Sequence, residues 1–367
     1  MFVSDSHHPQ LLGASAYRDE AIFVSERQRV LQNAWHCVGC DSDIANVGDF
    51  FTTEVLGHPI IIRRGDESIH AHINVCAHRF CTLSDESHGH AKVLKCPYHG
   101  WEYSDQGDTR RIPDAPSFRP LKKGQLGLTP VHLASIGRLL FVCVGDPSDG
   151  GVEHQMDGHA ATIAQWFSSD YRPMMTLEET VGCNWKTYLE NGLESYHVET
   201  VHADTLGTQP DESTCHHDLW QRSTRLTIDG EAKDRLSRVL DRGVHRMLGL
   251  SREPYRHVHV YPTLTFIRLA MFTYLESILP VSATRTRVVT RGFVYRGQDR
   301  FGQKPLASAA GRFGRRLLKK IQDEDFDILR LNQAGIASDH RPRGGFISAR
   351  EERIAHFQRY IVEKISP

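Results

Sequence analysis

The sequence is short of net charge: Lys and Arg total 44, Asp and Glu total 45, and the formal balance at pH 7 is -1. That excludes a global basic field for nucleic acid and the acidic excess of a disordered chain, so partners must be argued from sites. Long hydrophobic runs are also missing. Stretches such as Leu139 to Val144 fall far short of the ~20 apolar residues that cross a bilayer, so no membrane span is expected. The opening MFVSDSHHPQ has neither the basic nor the apolar region of a secretory signal, and a cytoplasmic protein is expected. There is no internal repeat, no low-complexity tract, and no G-x-G-x-x-G following a strand, which excludes a built-in dinucleotide site of that kind. In a reducing compartment the eight cysteines are thiols or metal ligands before they are disulfides. Histidine is what the chain has in quantity, 22 of 367 residues, and it directs attention to metal sites.

The length gives a prior of about two domains at roughly 150 residues each. Residues 16–34 carry Ile22, Phe23, Val30 and Leu31 among charges, the pattern of an amphipathic helix, so 1–34 is expected to be a lead-in helix packing with the second domain. From Trp35 to Asp146 short apolar runs alternate with turn residues, as in an all-β domain. The polar, Gly-rich PSDGGVEHQMDG that follows marks the junction. The remainder, 147–367, reads as α+β: a helix over 184–202, β-like runs at 224–228, 257–279 and 284–295, and two closing helices. The last of these opens on the capping-box pair Ser348 and Glu351.

Within the β domain stand Cys76-Ala77-His78 and Cys96-Pro97-Tyr98-His99. Tetrahedral zinc accepts two Cys and two His, but finger spacing pairs Cys with Cys and His with His. Here each loop offers one of each. A Rieske 2Fe-2S cluster needs that pairing, because one iron takes two thiolates and the other two imidazoles. With the continuation into Gly100-Trp101, the segments CAHRFCTLS and KCPYHGWEY resemble the Rieske domain of ring-hydroxylating and related non-haem iron oxygenases. The resemblance implies Cys76, His78, Cys96 and His99 as cluster ligands. Cys81 stands where respiratory Rieske proteins begin a loop-bridging disulfide, but position 98 is tyrosine. A potential below that of the bridged proteins is expected, within the range of about -150 to +300 mV. The family commonly has Gly where this chain has Phe80, which puts loop packing in question there, not ligation.

A second segment, NWKTYLENGLESYHVETVH, offers His197 and His202. Non-haem iron(II) oxygenases hold iron with two His and one carboxylate on one face and leave the other face open. The segment resembles the N-W-K…E-N…E-x-Y-H-x4-H motif of Rieske oxygenase catalytic domains, which have a helix-grip fold, an antiparallel sheet with helices. The resemblance further implies a downstream acid ahead of a Gln-x-Gly. In IQDEDFDILRLNQAGIAS that acid is Asp325, with Asp323, Glu324 and Asp327 as neighbours that the sequence does not exclude. It also implies Glu194 as a bridge from a cluster His of one subunit, His99, to His197 of the next, hence a homotrimer, and places Asn191 and Tyr196 around the iron.

The resemblance spans essentially the whole chain. It implies an oxygenase component that uses one Rieske cluster, one mononuclear Fe(II) and O2, with electrons from NAD(P)H through a separate reductase or a ferredoxin. Glu at position 194 resembles enzymes acting on quaternary ammonium compounds, so N-demethylation or C-hydroxylation of a small amine is expected. An aromatic cage drawn from Phe266, Phe272 and Tyr274 would hold the amine. The alternative is an aromatic acid gripped by an arginine such as Arg268. A third reading is a Rieske electron carrier with an inactive second domain. Cys37-Val38-Gly39-Cys40 lacks a second pair and reads as structural thiols. His257 and His259 read as a strand face, and Cys215, His216 and His217 as a loop after the iron helix. Arg110-Arg111 and Lys122-Lys123 read as a solvated surface or a docking site for the electron donor.

Overall fold

A computed structural model describes residues 2–122, 124–147, 150–229, 246–251, 253–269, 271–297, 303–342 and 344–365; Lys123 lies outside the described residues. The chain divides into two compact units, Gln32–Val152 and Met1–Leu31 together with Glu153–Pro367.

The first unit is built of short antiparallel strands. One sheet has three strands, His132–Ile136, Leu139–Cys143 and His36–Cys40 in that order; another has four, Ile69–Ile73, His58–Arg64, Asp49–Val55 and His88–His90. Every residue of His36–Cys40 and Leu139–Cys143 is buried. Cys37 and Cys40 therefore sit in a core strand and are not joined in a disulfide, in keeping with their reading as structural cysteines. A third, small sheet, Leu94–Lys95, Glu102–Tyr103 and Thr109–Arg111, carries one of the Cys/His loops.

The second unit is a seven-stranded antiparallel sheet with helices. Its strand order is Tyr171–Val181, Arg285–Tyr295, Phe272–Ser282, Leu264–Leu269, Tyr255–Val260, Ser223–Ile228 and Cys215–Leu219. The run expected over 257–279 is thus three strands. Cys215, His216 and His217 lie in the edge strand and not in a loop. His217 is buried against Phe2, with ring centroids 5.2 Å apart. Antiparallel register sorts the residues by face. Thr265 and Ile267 look to one side of the sheet. Phe266 packs edge-on against Phe167 on the other side, where Arg268 stacks on Tyr171 at 4.6 Å and pairs with Glu253.

The lead-in segment is not one helix over 16–34. A 3-10 turn, Ala14–Tyr17, precedes an α-helix, Glu20–Glu26, and a π turn, Arg27–Leu31. Asp19 makes the break, because in extended conformation its carboxylate accepts the N–H groups of Ala21 and Ile22 at 2.8 and 3.3 Å. The helix expected over 184–202 is also interrupted. Trp185–Gly192 ends at a glycine, and after a turn Val198–Val201 adds one short segment. Asn184 caps the first piece, accepting from the Lys186 N–H at 2.9 Å. At the C-terminus the Ser348/Glu351 capping box forms as its spacing predicts, and Ile354, Phe357 and Ile361 are buried on the helix Glu352–Ile365.

Two acids, Glu26 fully buried and Glu190 partly buried, tie the lead-in segment to the helix Trp185–Gly192. Glu26, with no exposed surface, accepts from Lys186 Nζ at 2.7 and 2.8 Å and from Trp185 Nε1 at 3.0 Å. Glu190 accepts from the Tyr17 hydroxyl at 2.7 Å and from Gln358 Nε2 at 3.0 Å. Burial pushes the Glu190 carboxyl up to about 7. Since the unfolded chain ionises near its ordinary value, stability is fully present below about pH 4.5 and is lost as pH rises through about 7. The loss reaches roughly 3 kcal/mol at 1.36 kcal/mol per pH unit. Glu190→Gln should flatten this part of the profile in denaturant titrations between pH 5 and 8; an unchanged slope would refute the assignment.

Candidate metal centres

The first centre lies in the Rieske-like unit. Cys76, Cys96 and Trp101 are buried in one cluster, and the His78 and His99 rings approach to 4.6 Å. The two loops follow one plan. In one, Phe80 N donates to Cys76 O at 3.0 Å and Cys76 N to Cys81 O at 2.8 Å; in the other, Gly100 N donates to Cys96 O at 3.0 Å and Cys96 N to Trp101 O at 2.8 Å. The backbone N–H of His78 faces the Cys76 sulfur, and those of Tyr98 and His99 face the Cys96 sulfur. Trp101 stacks flat on His78 at 4.9 Å. His78 Nδ1 is buried with no hydrogen-bond partner, which is unusual for a ring nitrogen unless a metal takes its lone pair. Two thiols, two imidazoles and N–H groups aimed at the sulfurs fit a Rieske 2Fe-2S cluster.

The second centre joins the two helix pieces to the long helix Gln303–Ala337. Ligating atoms of His197, His202 and Asp325 lie within 4.8 Å of one another, a group able to hold a metal ion. Both Nε2 atoms point at Asp325 Oδ1, at 3.7 Å from His197 and 3.1 Å from His202. Their Nδ1 atoms are each held by an acid, Glu194 for His197 and Glu324 at 2.8 Å for His202. Asn191 Nδ2 donates to Asp325 Oδ1 at 2.8 Å. The donor set, two imidazoles and a carboxylate, fits a non-haem iron(II) with open positions.

The acidic run that the sequence left ambiguous is thereby sorted. Asp323 pairs with Lys319 and Asp327 with Arg330, both on the exposed side. Glu324 carries His202 and the Thr205 hydroxyl, the latter at 2.7 Å. No feature of the sequence alone distinguished Glu324 from its neighbours. Tyr196 is placed differently from expectation: the residue is 61% exposed, and its main-chain N–H, accepted by Glu194, joins it to this cluster.

Between the helices and the sheet, beside the second centre, is a cavity of about 510 Å³. Its walls are largely Leu, Ile and Val, with Tyr188, Tyr255, Tyr274, His257, His259 and Glu276 as its main polar and aromatic members. Of the expected cage, only Tyr274 lines it. Phe272 stacks beside Tyr274, with ring centroids 6.1 Å apart, while Phe266 and Arg268 belong to the opposite face of the sheet. The reason is the two-residue side-chain period of Leu264–Leu269, which turns 265, 267 and 269 inward. His257 and His259, read as a pocket-facing or solvent-facing strand, line the cavity.

Residues 159–366 match the family described as ring hydroxylating alpha subunit (catalytic domain), and residues 34–127 match the Rieske [2Fe-2S] domain. The chain belongs to this family of Rieske oxygenase alpha subunits. Among curated proteins it is similar to the carnitine monooxygenase oxygenase subunit of Escherichia coli (strain K12), 28% identical over 204 residues, a match that spans 55% of this chain and 54% of that one. The chain thus spans about half the length of this relative. It is also similar to the glycine betaine monooxygenase oxygenase subunit of Chromohalobacter salexigens, 25% identical over 361 residues, 88% of this chain and 78% of that one. A crystal structure of a quaternary ammonium Rieske monooxygenase with an inhibitor shares the fold, with a TM-score of 0.79 at 23% identity over 97% and 95% of the two chains.

One residue of the first centre sets a testable condition. The Tyr103 oxygen accepts from Ala77 N at 3.1 Å, so its proton is free for the Cys76 sulfur 3.0 Å away. Burial and Cys76 raise the phenol well above its ordinary value, which keeps it a donor. A hydrogen bond to a cluster thiolate favours the reduced, more negative state. Tyr103→Phe should therefore lower the cluster's reduction potential in a redox titration, and a potential that holds or rises would refute the bond's role.

Proposed function

We propose that the chain is the oxygenase component of a multicomponent Rieske non-haem iron oxygenase that hydroxylates or N-demethylates a small amine with a cationic head group. In this reading His197, His202 and Asp325 hold Fe(II), and Cys76, His78, Cys96 and His99 hold the cluster. The two groups supply one-electron transfer and O2 activation. Glu194 and Glu324 would fix each imidazole with its Nδ1 proton on the acid, so that both Nε2 atoms are left for the metal. Asn191 holds the Asp325 carboxylate in place. The cavity supplies a largely apolar enclosure that limits water around the substrate. Electrons from NAD(P)H through a separate reductase or ferredoxin, a homotrimer in which Glu194 links His99 of one copy to His197 of the next, and a cytoplasmic setting complete the proposal.

The observation that carries the substrate reading is the charge of the cavity wall. Among the described lining residues there is no Lys or Arg, while Glu276 and three tyrosines are present. Tyrosine faces and a carboxylate suit a cation. The alternative, an aromatic acid gripped by Arg268, loses support because that guanidinium lies on the other face of the sheet against Glu253. Relatives named for carnitine and glycine betaine point the same way.

Burial lifts the Glu276 carboxyl to about 7, so it must lose a proton to pair with a cation. Amine affinity should rise as pH goes from 6 to 8, and Glu276→Gln should raise KM about tenfold and remove that dependence. A product-scored screen of trimethylammonium compounds against benzoate-like compounds tests the class, and turnover of the benzoates alone would overturn it. Glu194→Ala should leave sulfide content unchanged and, once reloaded with iron(II) to the wild-type content, still fail in coupled turnover in single-turnover and steady-state assays; full activity would remove Glu194 from the electron path.

A further inference from the structure

The cavity beside the second centre is a slot between the long helix Gln303–Ala337 and the sheet, and named contacts fix its two ends. At one end Gln322 Nε2 donates to Glu276 Oε1 at 3.2 Å, Asp325 follows Gln322 by one helical turn, and Gly192 sits so close to His259 that a Cβ there would lie 2.9 Å from its Nε2. The metal position belongs to this end. At the other end Gly314 lies against the Phe272 and Tyr274 rings, where a Cβ would come within 2.9 Å of Phe272. From Gly314 to Asp325 the helix rises roughly 16 Å at about 1.5 Å per residue.

Strand register grades the floor between those ends. Thr265 lies opposite both Glu276 and His259. Two residues on, about 7 Å along the strands, Ile267 lies opposite Tyr274 and His257, and His257 opposite Leu226. The next step of two brings Leu269, opposite Phe272, and Ile228, opposite Tyr255. Between Gly314 and Gln322 the helix contributes Leu317, Leu318 and Ile321 to the wall. Leaving the metal position, the lining thus passes from hydroxyl, carboxylate and imidazole to aliphatic side chains, and Leu269, 36% exposed, marks the outer rim.

A volume of about 510 Å³ suits a molecule larger than a bare ammonium head. Glu276 places that head near the metal position, so whatever lies further along the helix meets aliphatic walls. Among the described lining residues no Lys or Arg stands there to receive an anion, and burying a charge without a partner is costly. The geometry points to a substrate with a cationic head beside Glu276 and an uncharged hydrocarbon body that runs along the helix toward Leu269. This rests on the amine reading above and describes the rest of the molecule. It departs from carnitine and glycine betaine, after which two relatives are named and which are short chains ending in a carboxylate. Leu318 and Leu269 are the residues that read the length of the body.

The test is calorimetric binding to the iron-loaded holoenzyme of ethyl-, butyl-, hexyl- and octyltrimethylammonium, with octanol and octanoate as comparators. Each added methylene should tighten binding about two- to fourfold, and the gain from ethyl to octyl should exceed about thirtyfold in the wild type. In Leu318→Trp, which fills the slot partway along, that octyl-to-ethyl ratio should fall about tenfold or more. If Leu318→Trp loses its iron or its Rieske EPR signal, Leu269→Ser at the rim carries the test and should lower the ratio about threefold. A ratio near one in the wild type, or one that neither variant lowers, overturns the proposal and leaves the amine reading standing. Octanol or octanoate binding as tightly as octyltrimethylammonium would leave the hydrocarbon slot standing and overturn the amine reading instead.

Discussion

Two short contacts organise the second centre: an acid on the Nδ1 of each imidazole. A neutral histidine has one ring proton, and a carboxylate beside Nδ1 draws it there, leaving Nε2 as a lone pair. With Glu194 on His197 and Glu324 on His202, a metal held between the two Nε2 atoms and Asp325 would find an acceptor already in place for each Nδ1 proton. The interruption of the helix after Gly192 serves the same end. Because Glu194 accepts the main-chain N–H groups of Tyr196 and His197 as well as the imidazole, it ends one helical piece, starts the next and orients a ligand. A continuous helix through 202 would have spent those N–H groups on its own carbonyls.

That arrangement needs the helix Trp185–Gly192 to stay where it is, and buried charge does this. Glu26 and Lys186 have no exposed side-chain surface. Such a pair adds little net stability compared with apolar packing, but losing one partner costs about 3–5 kcal/mol. The lead-in segment is therefore held in a single docking position and not merely attracted by hydrophobic area. At the same end of the helix Asn184 N donates to Gln333 Oε1 at 2.8 Å, and Gln333 Nε2 donates to Tyr17 O at 3.0 Å. Gln333 lies on the same long helix as Asp325. One side chain thus couples the helix that carries Asn191, the helix that carries Asp325 and the lead-in segment.

Much of this was legible in the sequence where chemistry demands particular residue types at particular spacings. The mixed Cys/His loops, His197, His202 and the capping box at Ser348 are local patterns, and local patterns survive in one dimension. Asp325 could be singled out only through the resemblance, because helix periodicity places 322, 325, 326 and 329 on one face but does not say which face meets the histidines. Glu324 was illegible for the same reason: its role depends on a partner 122 residues away. Phe266 and Arg268 misled because a strand alternates its faces, and the sequence gives the alternation without its phase. Tyr103 carried no signal beyond being an aromatic after a motif, yet its hydroxyl reaches the Cys76 sulfur. The glutamate network at 26 and 190 was hidden as well, since charged residues on an amphipathic segment read as solvent-facing until burial shows otherwise.

Phe80 shows how far backbone bonding can override residue preference. Its φ is 58°, in the left-handed region, and its counterpart in the other loop, Gly100, has φ 72°. Both stand four residues after a ligand-candidate cysteine and return an N–H to that cysteine's carbonyl. Glycine adopts this conformation freely, whereas phenylalanine takes it at roughly 1–2 kcal/mol. The ring is 81% exposed, so packing within this unit does little to offset the cost. What holds Phe80 there is the loop itself: Cys76 N donates to Cys81 O and Phe80 N to Cys76 O, closing the turn on either side of it. The two loops have different sequences and place their histidines two and three residues after the cysteine, yet they share one backbone path. The sulfurs and the N–H groups that surround them set that path, and the residue at the left-handed position conforms to it.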